Sequence, residues 1–179
     1  AAADAEFRHA YSPFGDVKYA EDFGAFDYVA ADAPKGGAIR LMRVEQFDSF
    51  NTLYFPGRTP ADLSLTFDRL FAQSADEPAS HYGLLAESFA VSDALDRITV
   101  RLNPAAVWSD GRPVTSADVA FTIATLQTQG APFFRQALKD VSTAILSERD
   151  IEIRTAIPGD RDFIGRIGRI PIQSAAFWS

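Results

Sequence analysis

The residue types in this chain that most often act as acids, bases or metal ligands are its carboxylates and its two histidines, and it contains no cysteine. A pair of carboxylates can serve as acid, base or nucleophile in a hydrolase, and Asp48, Glu87, Asp110 and Asp118 are the candidates. Asp110 and Asp118 already have local roles available, as a turn residue and a helix-capping residue. The sequence contains neither Gly-x-Ser-x-Gly nor His-Glu-x-x-His. A secreted carboxylate-dependent hydrolase therefore remains only an alternative.

The two histidines, His9 and His81, are far apart, and neither belongs to a spacing typical of metal ligands. We expect His81 to be a packing or surface residue rather than a catalytic one. The Pro-Lys-Gly-Gly sequence at residues 34–37 could be taken for a phosphate loop, but no Gly-Lys-Ser/Thr follows it. It is interpreted as a turn. We expect no catalytic residue, no metal site and no cofactor.

Length, composition and charge limit the remaining classes. The chain has 179 residues and 47% apolar content, enough for one domain with a core or for one domain and part of a second. It has no run near the ~18 apolar residues that a membrane span requires. Its net charge of −7 argues against nucleic-acid binding. The opening sequence AAADAEF is typical of what remains after signal-peptide cleavage, which would make the protein an exported one.

Residues 107–130 predict a strand end, a tight turn and a capped helix. Asp110 and Gly111 favour a two-residue reversal. Thr115 is a good N-cap, and Asp118 three residues later completes a capping box. Gly130, followed by Pro132, predicts the end of the helix. The apolar residues Val119, Ile123 and Leu126 recur at helical spacing and should face the core.

Other segments predict further strands and helices. Residues 38–44 (AIRLMRV) are β-prone and predict a strand covered on both faces, and Thr59-Pro60 predicts the start of a helix. That helix should bury Leu63, Phe67, Leu70 and Phe71. Alternating patterns around residues 89–91 and 98–102 predict two antiparallel strands with one polar face. Residues 141–146 and 150–157 predict a hairpin, and residues 160–170 a last helix that ends at Pro171.

Residues 4–37 have little periodicity but many aromatic side chains, including Phe7, Tyr11, Phe14, Tyr19, Phe23, Phe26 and Tyr28. Because aromatic rings bury large areas, this predicts an irregular arm fixed to a surface rather than a free tail.

The segment WSDGRPVTSADVAFTI, preceded by LAESFAVSDALDRITVRLNPAA, resembles the signature of family 5 extracellular solute-binding proteins, the periplasmic receptors of peptide ABC transporters. The residues that match are Trp108, Asp110, Gly111, Pro113, Val114, Thr115, Asp118 and Val119. The string RHAYSPFGDVKYAEDFGAFDYVAADAPKGG resembles the entry segment of the Yej-type subgroup, which is associated with oligopeptides and with antibiotics of the microcin C kind.

The resemblance implies an α/β fold with a mixed (α+β) sheet, of the periplasmic-binding-protein-like type II (cluster C) kind. Family members have two lobes around a cleft, and this chain resembles only their amino-terminal portion. Residues 1–66 would be the opening segment of the primary part of lobe I, residues 67–170 its inserted α/β subdomain, and residues 171–179 the return into lobe I. Lobe II would be absent, so the chain is expected to be an amino-terminal fragment.

The resemblance also implies ligand-binding residues. In this family the loop before the corresponding helix borders the cleft. The resemblance therefore implies that the ligand contacts Tyr54, Phe55, Pro56, Gly57 and Arg58. The alternative is a connector that touches no ligand. Arg58 could receive a peptide carboxylate or pair with Asp62. The loop at residues 131–135 would offer Phe133 to the cleft, and the alternative is that both Phe133 and Phe134 belong to the core.

The implied function is that of a periplasmic solute-binding component of an ABC importer, which encloses an oligopeptide or peptide-like ligand and delivers it to a membrane permease. Its implied partners are the peptide, the permease in the inner membrane and the remainder of its own chain. A nickel or haem receptor of the same family is a further alternative.

Overall fold

A computed structural model describes residues 6–77 and 79–178. The predicted cleavage remnant at residues 1–5 lies outside the described residues, and so does Ser179 at the end of the predicted return segment. The strands are β1 (Ala10–Tyr11), β2 (Phe71–Gln73), β3 (His81–Gly83), β4 (Ala86–Val91), β5 (Arg97–Leu102), β6 (Val141–Ile145) and β7 (Asp150–Thr155). The helices are a 3-10 helix (Ala61–Thr66), α1 (Ser116–Gln129), α2 (Pro132–Leu138), α3 (Phe163–Gly168) and α4 (Ala175–Trp178).

The larger sheet is antiparallel with strand order β4-β5-β7-β6. Its side chains alternate between two faces, as strand geometry requires. One face consists of buried aliphatic residues, with Ile98 opposite Ile153 and Val100 opposite Ile151. The opposite face carries ion pairs such as Arg101 Nε to Asp150 Oδ1 at 2.8 Å. The predicted strands, their polar face and the hairpin between β6 and β7 are therefore confirmed.

Helix α1 covers the aliphatic face of this sheet. Val119, Ile123 and Leu126 point into the core and are at most 1% exposed. The helix begins with the predicted capping box, in which the Thr115 backbone N–H donates to Asp118 Oδ2 at 2.8 Å. It ends at Gly130. The predicted helix and both its ends are confirmed.

The turn before α1 also has the predicted form. The backbone N–H of Gly111 donates to the Trp108 carbonyl at 2.9 Å, and the N–H of Trp108 donates to the Arg112 carbonyl at 2.8 Å. Gly111 has a φ of +84°, a conformation that L-residues rarely adopt. The Asp-Gly pair thus makes the reversal that its sequence favours.

The smaller sheet is antiparallel with order β1-β3-β2, and it fixes the aromatic arm. Tyr19 and Tyr82 are buried with their rings 5.7 Å apart, and Phe23 and Phe26 pack on the same Tyr82 ring. Hydrogen bonds from Lys18, Ser74 and Tyr19 hold the pKa of Asp76 well below its usual range, with Lys18 the largest contributor. The arm prediction is confirmed around Tyr19, whereas residues 29–37 are exposed.

The predicted strand at residues 38–44 was wrong. The segment has no strand pairing, and Ile39, Met42 and Val44 are each more than 80% exposed. A strand is stable only when its backbone N–H and C=O groups pair with a neighbour and its side chains meet a covering layer. Within the described residues no strand lies beside this segment, so it forms no strand despite its β-prone composition.

The predicted helix after Thr59 was wrong in type and in packing. Pro60 precedes a 3-10 helix of six residues with no side-chain cap and no buried residue. Leu70 and Phe71 are buried as predicted, but they lie after the end of the helix. Leu70 directly precedes β2, and Phe71 is its first residue. Short 3-10 segments are usual where a longer helix would have no apolar surface to pack against.

The chain after α1 differs from the prediction in one element. The predicted loop at residues 131–135 was wrong, because α2 begins at Pro132. Proline suits the first turn of a helix, where its missing N–H costs nothing. The last predicted helix is confirmed as α3, with Phe163, Ile164 and Ile167 buried. Among the described residues, none of the helices is both long enough and apolar enough to cross a membrane.

Candidate functional site

The first predicted binding segment, residues 52–58, is held firmly at its base. Leu53 is 1% exposed and lies in the main core. The Asn51 side-chain oxygen accepts the backbone N–H of Leu53 at 2.8 Å. The amide of Gln173, which is fully buried, donates to Thr52 Oγ1 at 3.0 Å. These bonds place the segment against the end of α1, where the N–H of Phe55 donates to the Gln129 carbonyl at 2.9 Å.

The tip of this loop, by contrast, faces solvent. Phe55 is 54% exposed, and Pro56, Gly57 and Arg58 are also exposed. Tyr54 is half-buried and packs against the core. An exposed tip on a fixed base is the arrangement that binding loops commonly have on rigid scaffolds. Phe55, Pro56, Gly57 and Arg58 are therefore accessible to a ligand, whereas Tyr54 is accessible only in part.

Arg58 is not paired with Asp62. Asp62 instead receives Arg43, whose Nη2 lies 2.9 Å from Asp62 Oδ1. The backbone of Arg58 closes the loop on Asp48, because its N–H donates to Asp48 Oδ1 at 2.7 Å and its carbonyl accepts the Asp48 N–H at 3.0 Å. The expected alternative of an Arg58–Asp62 ion pair was wrong. Within the described residues the Arg58 guanidinium has no ion-pair partner.

Phe133, the second predicted contact, lies in the first turn of α2 and is 74% exposed. Its neighbour Phe134 is half-buried and packs on the core, and the two rings meet edge to face at 5.5 Å. The alternative that both phenylalanines are core residues was therefore wrong for Phe133. Since α2 follows directly after α1, Phe133 and the loop of residues 52–58 both flank the carboxyl end of α1.

A groove of about 430 Å³ runs between α2 and α3. Phe133 forms part of its wall, whereas Tyr54, Phe55, Pro56, Gly57 and Arg58 do not line it. The residues that line the groove are Phe133, Phe134, Gln136, Ala137, Leu138, Asp162, Arg166, Arg169 and Ile170. The predicted binding residues thus form two neighbouring patches rather than one pocket.

Two arginines in this groove were not predicted. Arg166 forms an ion pair with Asp160 and lies over the Phe163 ring at 5.8 Å from its centroid. Its Nε is buried and has no acceptor among the described residues. Arg169 is 63% exposed in its side chain, and its Nη2 lies 4.0 Å from Asp162 Oδ1. The sequence signal was the spacing of the two arginines by three residues in a segment predicted to be helical, which puts them on one face.

The four carboxylates of the hydrolase alternative are each engaged separately. Asp48 closes the loop at Arg58, and Glu87 pairs with Arg149 at 3.0 Å. Asp110 holds Arg112, and the Arg112 guanidinium and its backbone N–H keep the pKa of Asp110 below its usual value. Asp118 caps α1, where its Oδ2 accepts bonds from the Thr115 N–H and hydroxyl. Nothing in these contacts pairs two carboxylates for acid–base chemistry.

His81 is buried on β3 beside α3, where a Cβ at Gly165 would lie 3.3 Å from its Nε2. Burial lowers the pKa of His81, and the charge of Arg169 lowers it further, against an opposing effect of Asp162. His9 instead contacts the Tyr19 carbonyl at 2.9 Å. In the part of the chain that the structure describes, no group of three His, Cys, Asp or Glu side chains could hold a metal ion.

A larger groove of about 720 Å³ lies between the start of the arm and the β4–β5 turn. Its wall mixes arginines and carboxylates, among them Arg8, Arg97, Arg154 and Asp96. None of the predicted binding residues lines it.

Comparison with known proteins gives a consistent result. Residues 81–177 match the model of the "Bacterial extracellular solute-binding proteins, family 5 Middle". The chain is 36% identical over 170 residues to the uncharacterized protein YejA of Escherichia coli (strain K12), a match that covers 95% of the chain and 28% of YejA. It is 34% identical over 175 residues to the probable peptide-binding protein YejA of Agrobacterium fabrum, covering 96% of the chain and 28% of that protein.

A solved structure shows the same fold. The oligopeptide-binding protein AppA of Bacillus subtilis, in complex with a nonapeptide, superposes with a TM-score of 0.57 at 17% identity, over 74% of this chain and 26% of AppA. The predicted fold, a mixed helix and sheet part of a type II periplasmic binding protein, is therefore confirmed. The chain spans little more than a quarter of the length of these relatives, at 28% of each YejA protein.

Proposed function

The chain belongs to the family 5 bacterial extracellular solute-binding proteins, and from that premise we propose that it is part of the receptor of an ABC importer for oligopeptides or peptide-like compounds. The observation that carries the proposal is the pair of patches at the end of α1, on a frame fixed by buried contacts. One patch is residues 54–58, exposed from Phe55 onward, and the other is the exposed Phe133. The description of the A. fabrum relative as a probable peptide-binding protein supports the ligand class.

In this proposal the ligand is enclosed rather than transformed. The exposed backbone at Pro56 and Gly57 pairs with an extended peptide as an added strand would, and this kind of pairing is independent of peptide sequence. Phe55 and Phe133 offer aromatic surface to the ligand's side chains, and water fills the remaining space. The role is binding and release, and no residue of the chain is assigned a catalytic step.

The proposed domain organisation follows the same reasoning. Residues 1–66 form the opening segment of lobe I, residues 67–170 its inserted subdomain, and residues 171–179 the return into lobe I. A second lobe would come from a longer protein, as the 28% coverage of both relatives supports. Closure of the two lobes around the ligand would then present the loaded receptor to the permease. We propose the periplasm as the compartment, after cleavage of a signal peptide.

The proposal makes a specific claim about the chain by itself. One lobe buries only one side of a peptide, so binding should be weak, with a dissociation constant of about 1 mM or higher. Isothermal titration with a mixture of tri- to pentapeptides should therefore give no measurable heat at micromolar protein. Micromolar or tighter binding by this chain alone would contradict the proposed enclosure.

Weak contacts can still be located by NMR. At millimolar peptide, we expect chemical-shift changes in the backbone amides of residues 54, 55, 57 and 58 and at Phe133. Phe133→Ala should reduce these changes, and Phe177→Ala is the matched control, because Phe177 is similarly exposed at 70% on a different helix. Shift changes confined to other surfaces, or equal effects of the two variants, would reject the assigned site.

A further inference from the structure

The groove between α2 and α3 combines an apolar wall with a basic end. Phe133, Phe134, Leu138 and Ile170 supply the apolar surface. Its volume of about 430 Å³ falls within the range of small-ligand pockets, enough for one or two amino-acid residues. Such a wall favours a ligand with an apolar side chain, whereas the charged end requires a polar or charged group on the same ligand.

The charged end of the groove contains two arginines, of which Arg166 is closely paired with an aspartate and Arg169 only loosely. Arg166 and Arg169 both line the groove, and Asp162 is the acidic residue in its wall. Arg166 lies in α3 and Arg169 is the C-cap residue of this helix, three positions later, and both side chains line the groove. The ion pair of Arg166 with Asp160 leaves its buried Nε without an acceptor in the described part of the chain.

Arg169 is the group best able to take an external anion. Its distance of 4.0 Å from Asp162 is at the limit of an ion pair, and both side chains are more than 60% exposed. Exposed pairs of this kind contribute little, so a ligand can displace Asp162 at low cost. A carboxylate that enters from the groove can accept two parallel N–H bonds from the Arg169 guanidinium.

We propose that this groove binds the carboxyl-terminal residue of a peptide, with its apolar side chain against Phe133 and Phe134 and its carboxylate on Arg169. The proposal rests on the proposed peptide-binding function and deepens it by naming one end of the ligand. An internal peptide segment has the apolar side chain but lacks the negative charge, so the charge pattern favours the terminus. Arg166 stays paired with Asp160, so Arg169 is the cation that the ligand carboxylate meets.

The probe for this proposal is a pair of ligands that differ in one group, N-acetyl-Leu-Leu and its carboxyl-terminal amide. Titrated into the isotope-labelled chain, the acid should shift backbone amides of α2 and α3, and the amide should bind about tenfold more weakly, because it lacks the charge-assisted bond. Equal binding of the two ligands, or no shifts in α2 and α3 with the acid, would overturn the proposal.

Three variants assign the effect to residues. Arg169→Gln should remove the preference for the acid. Asp162→Asn should strengthen binding of the acid about threefold, because it removes the competing carboxylate. Arg161→Gln is the control, since Arg161 is exposed, carries the same charge and does not line the groove. An unchanged preference in Arg169→Gln, or weaker binding in Asp162→Asn, would contradict the assignment.

The same titrations separate this inference from the proposed function. Acid and amide that both shift residues 54–58 with equal affinity would retain peptide binding and reject the carboxylate groove. Shifts in α2 and α3 that depend on Arg169, without any effect of longer peptides at residues 54–58, would retain the groove and reject the proposed peptide path.

Discussion

Two segments of this protein have similar sequences and opposite environments. Strand β5 reads RITVRL, and residues 38–44 read AIRLMRV. In β5, Ile98, Val100 and Leu102 are fully buried, because β4 and β7 hold the strand in the sheet and the main core covers this face. Residues 38–44 have no neighbouring strand among the described residues and lie exposed. The comparison shows that β-propensity indicates only that a residue packs well on a pleated sheet. Whether the segment forms a strand depends on a neighbouring strand with which it can pair.

The aromatic arm is intermediate between these two cases. It makes only a two-residue strand with β3, yet Tyr19 is buried because Tyr82 and two phenylalanines enclose it. Side-chain packing can therefore hold a segment that has almost no regular backbone pairing. We call the sheet with α1 the packed region and residues 29–50 the open region, and the following predictions test the contrast between them.

The largest difference is expected for truncation of an aliphatic side chain. Ile153→Ala in the packed region should lower the free energy of unfolding by about 3 kcal/mol, since it leaves a cavity in a fully buried site. Met42→Ala in the open region, where the side chain is 87% exposed, should change it by less than about 0.5 kcal/mol. Urea unfolding followed by circular dichroism measures both. Similar losses from the two variants would show that residues 38–44 are packed in solution.

A second pair compares two carboxylates. Asp118 Oδ1 accepts the Ala175 N–H at 2.8 Å, and its Oδ2 accepts bonds from Thr115 at 2.8 and 2.9 Å. Asp118→Ala should therefore cost about 2 kcal/mol in unfolding free energy, through the lost cap and the unpaired buried donors. Asp62→Ala, which breaks the exposed pair with Arg43, should have no measurable effect. Equal effects would break the contrast.

The arm should give a smaller effect than Asp118. The Tyr19 hydroxyl donates to Asp76 Oδ2 at 2.7 Å and accepts the Asp27 N–H at 3.0 Å. Tyr19→Phe keeps the ring packing and removes both bonds, so it should lower the thermal midpoint by less than Asp118→Ala does. Tyr28→Phe is the control, since Tyr28 is half exposed and accepts one longer bond, of 3.3 Å. A larger loss from Tyr28→Phe would place the anchor of the arm elsewhere.

The smallest effect concerns pH. Burial, assisted by Arg169, lowers the pKa of His81 from its ordinary value of 6.5. The unfolded chain therefore binds a proton near pH 6.5 that the folded chain does not, so the free energy of unfolding should decrease as the pH falls below this value. Above it His81 contributes no slope. His81→Gln should flatten this part of the pH profile. An unchanged slope in His81→Gln would contradict the assignment to this residue.

What the sequence predicted well was set by neighbouring residues. The capping box of Thr115 and Asp118, the Asp110-Gly111 turn and the alternation in β5 and β7 each depend on contacts within a few positions or on a simple period. These features formed as predicted. The exposed loop tip and Phe133 could also be foreseen, although their contact with a ligand stays a prediction.

What the sequence did not predict depends on distant parts of the chain. The fate of residues 38–44 depends on whether a strand lies beside them, which propensity does not reveal. Residues 131–135 were interpreted as a loop because Gly130 and Pro132 end α1, but the same proline begins α2. The groove between α2 and α3 was missed because Phe133 and Arg169 come together only when these two helices pack. Non-local packing therefore limited the prediction in all three cases.

The buried amide of Gln173 has a consequence for how this scaffold can change. It accepts the Trp178 indole N–H at 3.1 Å and donates to Thr52, so the loop is positioned by side chains outside its own tip. Substitutions at residues 54–58 should therefore have little effect on the stability of the fold. A library randomised at these positions, with Thr52 and Gln173 kept, should yield mostly folded members, and new ligand preferences could be selected from it without loss of the frame.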